Sequence, residues 1–237
     1  MKSIEIDGKK IGIGHPAYIV AELSGNHNHD FKRAVHLIDA AQDAGVDAVK
    51  LQTFTPDTIT IDCDSDLFGS NGELSKGKTL YQIYKEAYMP WEWQPKLKEI
   101  ANNKGLACFS SPFDPTSVDF LESMNMPAYK VASSEVCDLP LLRKIAKTNK
   151  PIILSTGMAT FAEIDSALST LKNAGNDKII LLKCTSAYPA APSDMNLKTM
   201  AHMSNVFGIP AGLSDHTLGH DVALASVALG ACMIEKH

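Results

Sequence analysis

At Ala231-Cys232-Met233-Ile234-Glu235-Lys236-His237 an apolar run passes directly into a charged tip, which predicts a buried strand with a polar end. Seven earlier segments show the same plan of an apolar run that ends in polar residues. With the last one, they are Tyr18–Asn26, Asp47–Phe54, Leu106–Phe113, Ala128–Glu135, Pro151–Met158, Lys178–Tyr188, Ile209–Thr217 and Ala231–His237. Their short length and their β-branched residues predict strands that are buried on both faces of a parallel sheet.

Segments of helical length, with apolar residues every three to four positions, separate these strands. They are Phe31–Ala44, Trp93–Asn103, Pro115–Met124, Leu139–Thr148, Thr160–Ala174, Asn196–Phe207 and Asp221–Leu229. Eight strands that alternate with helices favour a closed (β/α)8 TIM barrel, of the α/β class, over an open sheet. We expect the last helix of the barrel to be missing at the C-terminus.

Two segments fall outside this alternation. Ser3–Gly14 alternates around Asp7-Gly8, which predicts an N-terminal β-hairpin that caps the N-terminal mouth of the barrel. Thr55–Pro90 is longer than an ordinary loop, and loops of that length are usually functional; within it, Leu80–Tyr84 predicts a helical turn. The 237 residues correspond to one barrel of about 250 residues, so we expect a single domain over residues 1–237.

Composition and charge exclude several classes of protein. The net charge is −5, no basic stripe suggests nucleic acid, and no apolar run is long enough to cross a bilayer. The N-terminus lacks the basic and then apolar pattern of a signal peptide. The five cysteines show no CxxC spacing, and three lie in predicted strands, so we expect free thiols in a reducing compartment. The expected location is the cytoplasm.

Two histidines stand at the predicted tips of neighbouring strands. His216 ends the seventh strand and His237 ends the eighth, so their imidazoles meet over the mouth of a closed barrel. With Glu235 and Asp215 nearby, they predict a site for a divalent cation that keeps positions open for water and substrate. Such a shell suits Mn²⁺ and tolerates related ions. Each histidine alone would instead indicate a hydrogen-bonded residue of the core or rim.

Lysines and serines gather at the same strand ends. Lys50, Lys130 and Lys183 each end or interrupt an apolar strand, which argues against solvated surface positions. The serines at the adjoining tips are Ser111, Ser133, Ser155 and Ser214. Cations beside hydroxyl groups predict a cradle for a dianionic, carboxylated ligand such as a phosphorylated enol acid. A lysine that forms a Schiff base, as in an aldolase, is an alternative that nothing local separates.

Carboxylates and a tyrosine complete the candidate site. Glu22 ends the first strand, where burial of a charge is costly, and it is a candidate general acid or base, with a structural ion pair as the alternative. Glu235, beside His237, is a second candidate catalytic carboxylate. Tyr188 follows the sixth strand and is expected on the acceptor side of the site.

A series of short motifs runs in order through nearly the whole chain. They are Ala21–His27, Lys50–Thr53, Ser110–Phe113, Ala128–Ser133, Leu154–Met158, Gly212–His216 and Glu235–His237. They resemble the sialic acid synthase family, which condenses phosphoenolpyruvate to form nonulosonic acids. The resemblance implies that phosphoenolpyruvate is held by Lys50, Ser111, Lys130, Ser133, Ser155, Ser186 and Ser214. It also implies Mn²⁺, with Mg²⁺ or Co²⁺ as alternatives, on His216 and His237, with Glu22 as the catalytic carboxylate and Tyr188 near the acceptor sugar.

Two segments bear on the acceptor. Leu182–Ser186 and Leu80–Trp93 resemble pseudaminic acid synthases, which implies 2,4-diacetamido-2,4,6-trideoxy-L-altrose as the acceptor and pseudaminic acid and phosphate as the products. Gln94 departs from that pattern, in which histidine is expected. N-acetylneuraminate and legionaminate synthases are the alternatives within the family.

The family resemblance also bears on organisation and on the class of function. Members of the family carry a small C-terminal antifreeze-like domain in a domain-swapped dimer. We expect that domain to be absent from this sequence, and a homodimer is expected of the full-length protein. A barrel that binds a sugar or metabolite without turnover is an alternative of another class. The histidine pair, the lysines and Glu22 favour an enzyme, a transferase that forms a C–C bond.

Overall fold

The computed structural model describes residues 2–69 and 77–237, and its main feature is a closed barrel of eight parallel strands. The strands of the chain are β1 (Ile4–Ile6), β2 (Lys9–Ile11), β3 (Tyr18–Glu22), β4 (Ala48–Thr53), β5 (Ala107–Pro112), β6 (Tyr129–Val131), β7 (Ile152–Ser155), β8 (Ile179–Cys184), β9 (Ala211–Asp215) and β10 (Met233–Lys236). From β3 to β10 each strand pairs with the next one in the chain, and β10 pairs with β3 to close the barrel. The predicted barrel is confirmed.

Helices connect the strands and form the outer layer. They are α1 (Phe31–Asp43), α2 (Pro56–Ile59), α3 (Leu80–Ala87), α4 (Gln94–Asn103), α5 (Pro115–Ser123), α6 (Leu139–Ala146), α7 (Phe161–Asn173), α8 (Lys198–Phe207) and α9 (Asp221–Ala228). Side-chain caps fix where several begin: Asp30 accepts hydrogen bonds from the first backbone N–H groups of α1, and Thr160 forms a capping box with Glu163 on α7. Every helix predicted between the strands is present, with its ends shifted by at most a few residues.

The N-terminal hairpin closes one end of the barrel. Strands β1 and β2 pair around Asp7 and Gly8, both of which have positive φ, as expected for this type of two-residue turn. Ile6 and Ile11 are fully buried and belong to the same apolar cluster as Ile153 in the barrel interior. The predicted cap is therefore confirmed, and its apolar packing leaves the opposite end of the barrel for polar chemistry.

Strand alternation divides the core into two layers. On β8, Ile180 and Leu182 belong to the interior cluster, whereas Ile179 and Leu181 belong to a second cluster that packs beneath the helices. Successive side chains of a strand point to opposite faces. This alternation decides which polar residues at the strand ends face the barrel axis.

The long segment after β4 contains helical structure. The predicted turn at Leu80–Tyr84 is confirmed as the start of α3, which Thr79 and Gln82 cap. The part of this segment at residues 70–76 lies outside the described residues. Within the described ranges no helix is long and apolar enough to cross a membrane, and the five cysteines are free thiols.

Candidate active site

A cavity of about 220 Å³ opens at the carboxyl ends of the barrel strands. It brings together residues from seven of the eight barrel strands and from the segments that follow them. Of the residues predicted from the sequence, those that line it are Lys50, Ser111, Lys130, Ser133, Ser155, Ser186, Tyr188, Ser214, His216, Glu235 and His237. A larger recess, of about 590 Å³, lies on the outer surface against α5 and α6, away from these groups.

Two buried lysines and two buried carboxylates form the charged centre of the site. Lys50 forms an ion pair with Glu22, and its Nζ lies 3.4 Å from Glu235 Oε2. Lys130 Nζ lies 3.5 Å from the other oxygen of Glu235. All four side chains are 4% exposed or less. The charges of the two lysines are thus balanced by those of the two carboxylates. A dianionic ligand could bind here only together with a proton or a cation.

The two carboxyl groups differ in their proton affinity. Burial raises the pKa of Glu22, and the nearby Lys50 opposes this shift without reversing it. Burial would also raise the pKa of Glu235, but Lys130 and Lys50 lower it to about 2. When the environment separates the pKa values of two neighbouring acids, one is suited to carry a proton and the other to stay ionised. Glu22 is suited to the first role and Glu235 to the second.

The two buried lysines, Lys50 and Lys130, also differ in their proton affinity. Burial lowers the pKa of Lys130, although Glu235 opposes the shift. For Lys50 the attraction of Glu22 and Glu235 outweighs burial, so its pKa lies above the ordinary value. Lys50 is therefore a permanent cation, whereas Lys130 gains most from an anionic ligand.

Hydroxyl groups line the cavity wall, and two of them lack a partner. Within the described chain, Ser111 Oγ and Ser155 Oγ are buried without any hydrogen bond. By contrast, Ser214 Oγ donates to Glu235 Oε1 over 2.9 Å. A buried polar group without a partner costs about 1–3 kcal/mol. Ligand oxygen atoms placed here would satisfy both free hydroxyl groups.

Gly157 brings backbone close to the cavity just after β7. Its N–H donates to Ser133 Oγ over 3.0 Å. A Cβ atom at this position would lie 2.6 Å from Ser186 Oγ and 2.8 Å from Ser133 Oγ. Glycine at this turn therefore leaves room for the side chains of two predicted ligand-binding serines, which follow β6 and β8.

The two histidines lie side by side, with ring centroids 3.9 Å apart. His237 Nδ1 lies 3.2 Å from the carbonyl oxygen of Asp215. Because a carbonyl only accepts, Nδ1 carries the proton and Nε2 keeps its lone pair. Nε2 in turn lies 3.7 Å from Glu235 Oε1. Burial lowers the pKa of His237 to about 3, so its ring stays neutral.

These groups fit an open metal site with few protein ligands. Among the described residues no group of three or more His, Cys, Asp or Glu side chains is arranged to hold a metal ion. Asp215 lies beside the two histidines, as expected, but its carboxylate accepts hydrogen bonds from Thr217 and pairs with Lys236. The chain would offer the two imidazoles, with the other positions left for water and substrate.

Tyr188 and Cys184 surround His216 at the rim. The Tyr188 ring contacts the His216 ring edge-on, with centroids 4.3 Å apart, and Tyr188 is 74% exposed. Cys184 Sγ lies 4.0 Å from His216 Nδ1. Burial would raise the pKa of this thiol, but its contacts with His216 and Ser133 bring it to about 7.

Sequence reasoning missed six lining residues, which are Gln52, Phe113, Ala132, Ser134, Met158 and Cys184. Two of these residues could have been predicted from strand alternation. Gln52 follows Lys50 by two residues on β4, and Cys184 follows Leu182 by two residues on β8, so each shares a face with an inward neighbour. Phe113 and Met158 lie beyond their strands, where no alternation applies.

The assignment of Lys183 to the ligand cradle is wrong. Lys183 does not line the cavity within the described chain, and its Nζ donates to Thr185 Oγ1. Since Leu182 faces the barrel interior, Lys183 faces the helix layer with Leu181. An apolar flank on both sides indicates burial, but it does not say on which face of the strand a lysine lies.

Glu22 lies behind the cavity wall. Its side chain is fully buried against Lys50, and Oε1 accepts a hydrogen bond from the backbone N–H of Ser24 over 2.9 Å. The ion pair that the sequence left open as its alternative role is present. Any chemical role of Glu22 must therefore act next to, or through, Lys50.

Comparison with known proteins gives the family of this barrel. The sequence profile described as the NeuB family matches residues 37–237. The chain belongs to the NeuB family. It is 46% identical to the pseudaminic acid synthase of Helicobacter pylori, over 94% of this chain and 65% of that protein. It is 38% identical to the N,N'-diacetyllegionaminic acid synthase of Legionella pneumophila, over 97% of this chain and 65% of that protein.

A solved structure supports the same relation. This NeuB-family chain superposes on the N-acetylneuraminic acid synthetase of Leptospira borgpetersenii, a complex with citrate, with a TM-score of 0.87 and 33% identity. The match covers all of this chain and 78% of that one. The chain therefore spans about two thirds of the two named synthases and contains the barrel that these proteins share.

Proposed function

We propose that this chain forms the barrel of a nonulosonate synthase, which condenses phosphoenolpyruvate with an open-chain acetamido sugar and releases phosphate. The observation that carries the proposal is the pair of buried, unpartnered hydroxyl groups on Ser111 and Ser155. They lie in one cavity with Lys130 and the histidine pair. The resemblance of the motifs to the sialic acid synthase family supports the same ligand.

The chain's own groups would bind the enol acid in an extended cradle. Lys130 and the free hydroxyl groups would hold the phosphate and carboxylate, because charge-assisted hydrogen bonds are the strongest available here. Lys50 would supply a fixed cation whose position Glu22 and Glu235 set. Fixed orientation of both substrates accounts for much of the acceleration expected in such a site.

His216 and His237 would hold a divalent metal, for which we propose Mn²⁺, with Mg²⁺ or Co²⁺ as alternatives. When bound, such an ion acts as a Lewis acid on a substrate oxygen. The neutral ring of His237, with Nδ1 engaged by the Asp215 carbonyl, supports Nε2 as the ligand atom. Tyr188, packed on His216, would shield the acceptor side of this pair.

Proton transfer is assigned to Glu22. In the reaction, C3 of phosphoenolpyruvate bonds to the aldehyde carbon, water adds at C2, and phosphate leaves with cleavage of its C–O bond. Burial gives Glu22 the higher proton affinity of the two carboxyl groups. Glu235 stays ionised and orients Lys130 and Ser214, so we propose it as a positioning residue rather than a proton carrier.

The acceptor we propose is 2,4-diacetamido-2,4,6-trideoxy-L-altrose, which would make the product pseudaminic acid. The identity to the pseudaminic acid synthase of Helicobacter pylori, which exceeds that to the legionaminic acid synthase, supports this choice. The test is phosphate release from phosphoenolpyruvate with Mn²⁺ and each of three sugars: the proposed acceptor, N-acetylmannosamine and 2,4-diacetamido-2,4,6-trideoxy-mannose. Phosphate release with none of them, despite binding, would indicate a non-catalytic barrel.

A Schiff-base aldolase is the second candidate, and the low proton affinity of Lys130 favours it. A lysine with a lowered pKa is the form that attacks a carbonyl. Borohydride reduction in the presence of pyruvate would add the mass of a reduced adduct to an aldolase. We expect no adduct, together with stoichiometric release of phosphate from phosphoenolpyruvate.

We also propose that the longer protein is a homodimer in the cytoplasm. The resemblance to the domain-swapped family supports the dimer. The free cysteines support a reducing compartment. Sedimentation of a chain of the same length as its relatives would test the dimer.

A further inference from the structure

A buried polar network lies directly behind the two candidate metal ligands. Asp215 is the last residue of β9 and precedes His216, and Lys236 is the last residue of β10 and precedes His237. Asp215 and Lys236 are register partners across the two strands. Asp215 is fully buried, and the Lys236 side chain is 31% exposed. Because side chains alternate along a strand, the pair faces the helix layer, opposite the histidines.

Three residues close this network into a cycle, which we call the Asp215–Thr217–Lys236 clasp. Asp215 Oδ1 accepts from the Thr217 N–H over 3.0 Å and from Thr217 Oγ1 over 2.8 Å. Lys236 Nζ lies 3.0 Å from Asp215 Oδ2, as an ion pair without the alignment of a hydrogen bond. The same ammonium group donates to the Thr217 carbonyl oxygen. The cycle thus joins the ends of β9 and β10 on both sides of His216.

The clasp is connected to His237 through one atom. The carbonyl oxygen of Asp215 accepts from the backbone N–H of His237 over 3.1 Å and from its Nδ1 over 3.2 Å. The position of Asp215 therefore sets both the backbone at His237 and the tautomer that leaves Nε2 unprotonated. A shift of Asp215 would release the imidazole from the geometry a metal requires.

Barrel stability alone is a poor account of this arrangement. A buried ion pair is weak support for stability, because desolvation of the two charges offsets most of their attraction. A clasp of this kind instead fixes the orientation of the neighbouring histidine side chains. Partners behind a ligating histidine fix its tautomer and its direction, and their loss typically lowers metal affinity by 10–100-fold.

We propose that the Asp215–Thr217–Lys236 clasp is a positioning device that holds His216 and His237 ready for a divalent cation. The inference rests on the metal site of the proposed function, and it assigns roles to residues that contact neither metal nor substrate. Lys236 and Thr217 are positioning residues. Their loss should weaken metal binding without a matching loss of fold.

The experiment uses the full 237-residue chain and Mn²⁺ as the probe. Calorimetry would measure Mn²⁺ affinity for the wild type, Lys236→Met, Lys236→Arg, Thr217→Val and a control, Lys104→Met. The control removes an ion pair of similar exposure, at 29% for the Lys104 side chain and 2.8 Å from Asp39, far from the site. We expect Lys236→Met and Thr217→Val to weaken Mn²⁺ binding about tenfold or more. Lys236→Arg and Lys104→Met should bind within twofold of the wild type.

A second readout does not depend on the metal. Long-range ¹⁵N NMR of the imidazoles in the metal-free chain should show His237 held with its proton on Nδ1, and Lys236→Met should mix the two tautomers. A single unchanged tautomer, or Mn²⁺ binding by both Lys236→Met and Thr217→Val within twofold of wild type, overturns the inference. If the wild type binds no Mn²⁺ but Lys236→Met mixes the His237 tautomers as expected, the proposed metal site is wrong. The role of the clasp in orienting His237 is then still supported. Thr217→Val keeps the test decisive if Lys236→Met does not fold.

Discussion

At the level of single residues, two neighbouring serines beside the cavity have hydroxyl groups with opposite roles. Ser110 and Ser111 are adjacent on β5, and both are buried. Ser110 Oγ lies 2.6 Å from Thr53 Oγ1, within a network behind the wall, whereas Ser111 Oγ has no partner in the described chain. A satisfied hydroxyl contributes to the fold, and an unsatisfied one weakens it until a ligand arrives. This contrast separates structural serines from binding serines without reference to any relative.

The first prediction uses Ser155→Ala, with Ser110→Ala as its matched control. Ser155→Ala removes a hydroxyl group that has no hydrogen-bond partner in the described part of the chain, so the free energy of unfolding should stay constant or rise by up to about 1 kcal/mol. Loss of a charge-assisted hydrogen bond should weaken phosphoenolpyruvate binding about tenfold or more. Ser110→Ala should do the reverse, with a lower unfolding free energy and unchanged binding. Denaturant titration and calorimetry measure both quantities; equal behaviour of the two variants would contradict the assignment.

A second prediction concerns Glu22, whose charge is paired with Lys50. Glu22→Gln keeps the size of the side chain but cannot move a proton. We expect turnover to fall about 100-fold, the scale of general acid–base catalysis, while phosphoenolpyruvate binds nearly normally. Rates of phosphate release and calorimetric affinities would be compared with those of the wild type. Unchanged turnover would leave Glu22 with a structural role as the partner of Lys50.

At the level of elements, the sequence predicts which segments are strands better than it predicts which way their side chains face. Lys50 and Lys183 both stand near the ends of apolar strands, yet Lys50 lines the cavity and Lys183 lies outside it. An alternating strand with one polar face would have shown the difference. Here both faces are apolar, because the helices cover one and the barrel core fills the other. The sequence pattern therefore does not show on which face a given side chain lies. The histidine and serine positions were predictable because they lie at the carboxyl ends of strands or directly after them.

The turn after β7 gives a prediction at this scale. Gly157→Ala would place a methyl group 2.6 Å from Ser186 Oγ and 2.8 Å from Ser133 Oγ, which pushes both serines out of place. Phosphoenolpyruvate affinity should fall at least tenfold, with a modest loss of stability of about 1–3 kcal/mol from overpacking. Gly69→Ala is the control, since among the described residues its Cβ would meet only the Asp66 carbonyl, at 3.3 Å. Equal ligand affinities of the two variants would show that the close approach at Gly157 is not part of the cradle.

At the level of the whole molecule, the two ends of the barrel differ in the kind of side chain that fills them. The hairpin fills the N-terminal end with apolar side chains such as Ile6 and Ile11. Titratable groups gather at the other end, where the loops after the strands are also held by buried polar residues. His27 is one of these: its ring is fully buried after β3, and Nδ1 accepts from the His29 N–H over 3.1 Å. The stability of the barrel should therefore depend on pH through groups outside the cavity as well.

The last prediction follows from the sign of the shift at His27. Burial lowers the pKa of His27, with His29 adding to the shift, so the folded chain protonates this ring at a lower pH than the unfolded chain does. The unfolded chain takes up a proton near pH 6.5, and below that pH it binds more protons than the folded chain. The free energy of unfolding should then fall with decreasing pH, by at most about 1.4 kcal/mol per pH unit for this one group. The window runs from pH 6.5 down to about 5, above the range in which unfolded carboxylates titrate.

The variant His27→Asn should flatten this dependence, because asparagine can accept from the backbone two residues on but does not titrate. Denaturant titrations at several pH values between 5 and 7 would give the slope for each protein. His36→Asn, which removes an exposed histidine of α1, is the control and should keep the wild-type slope. If His27→Asn keeps that slope as well, the buried ring does not resist protonation, and the pH response of the barrel comes from other groups, such as the buried carboxyl group of Glu22.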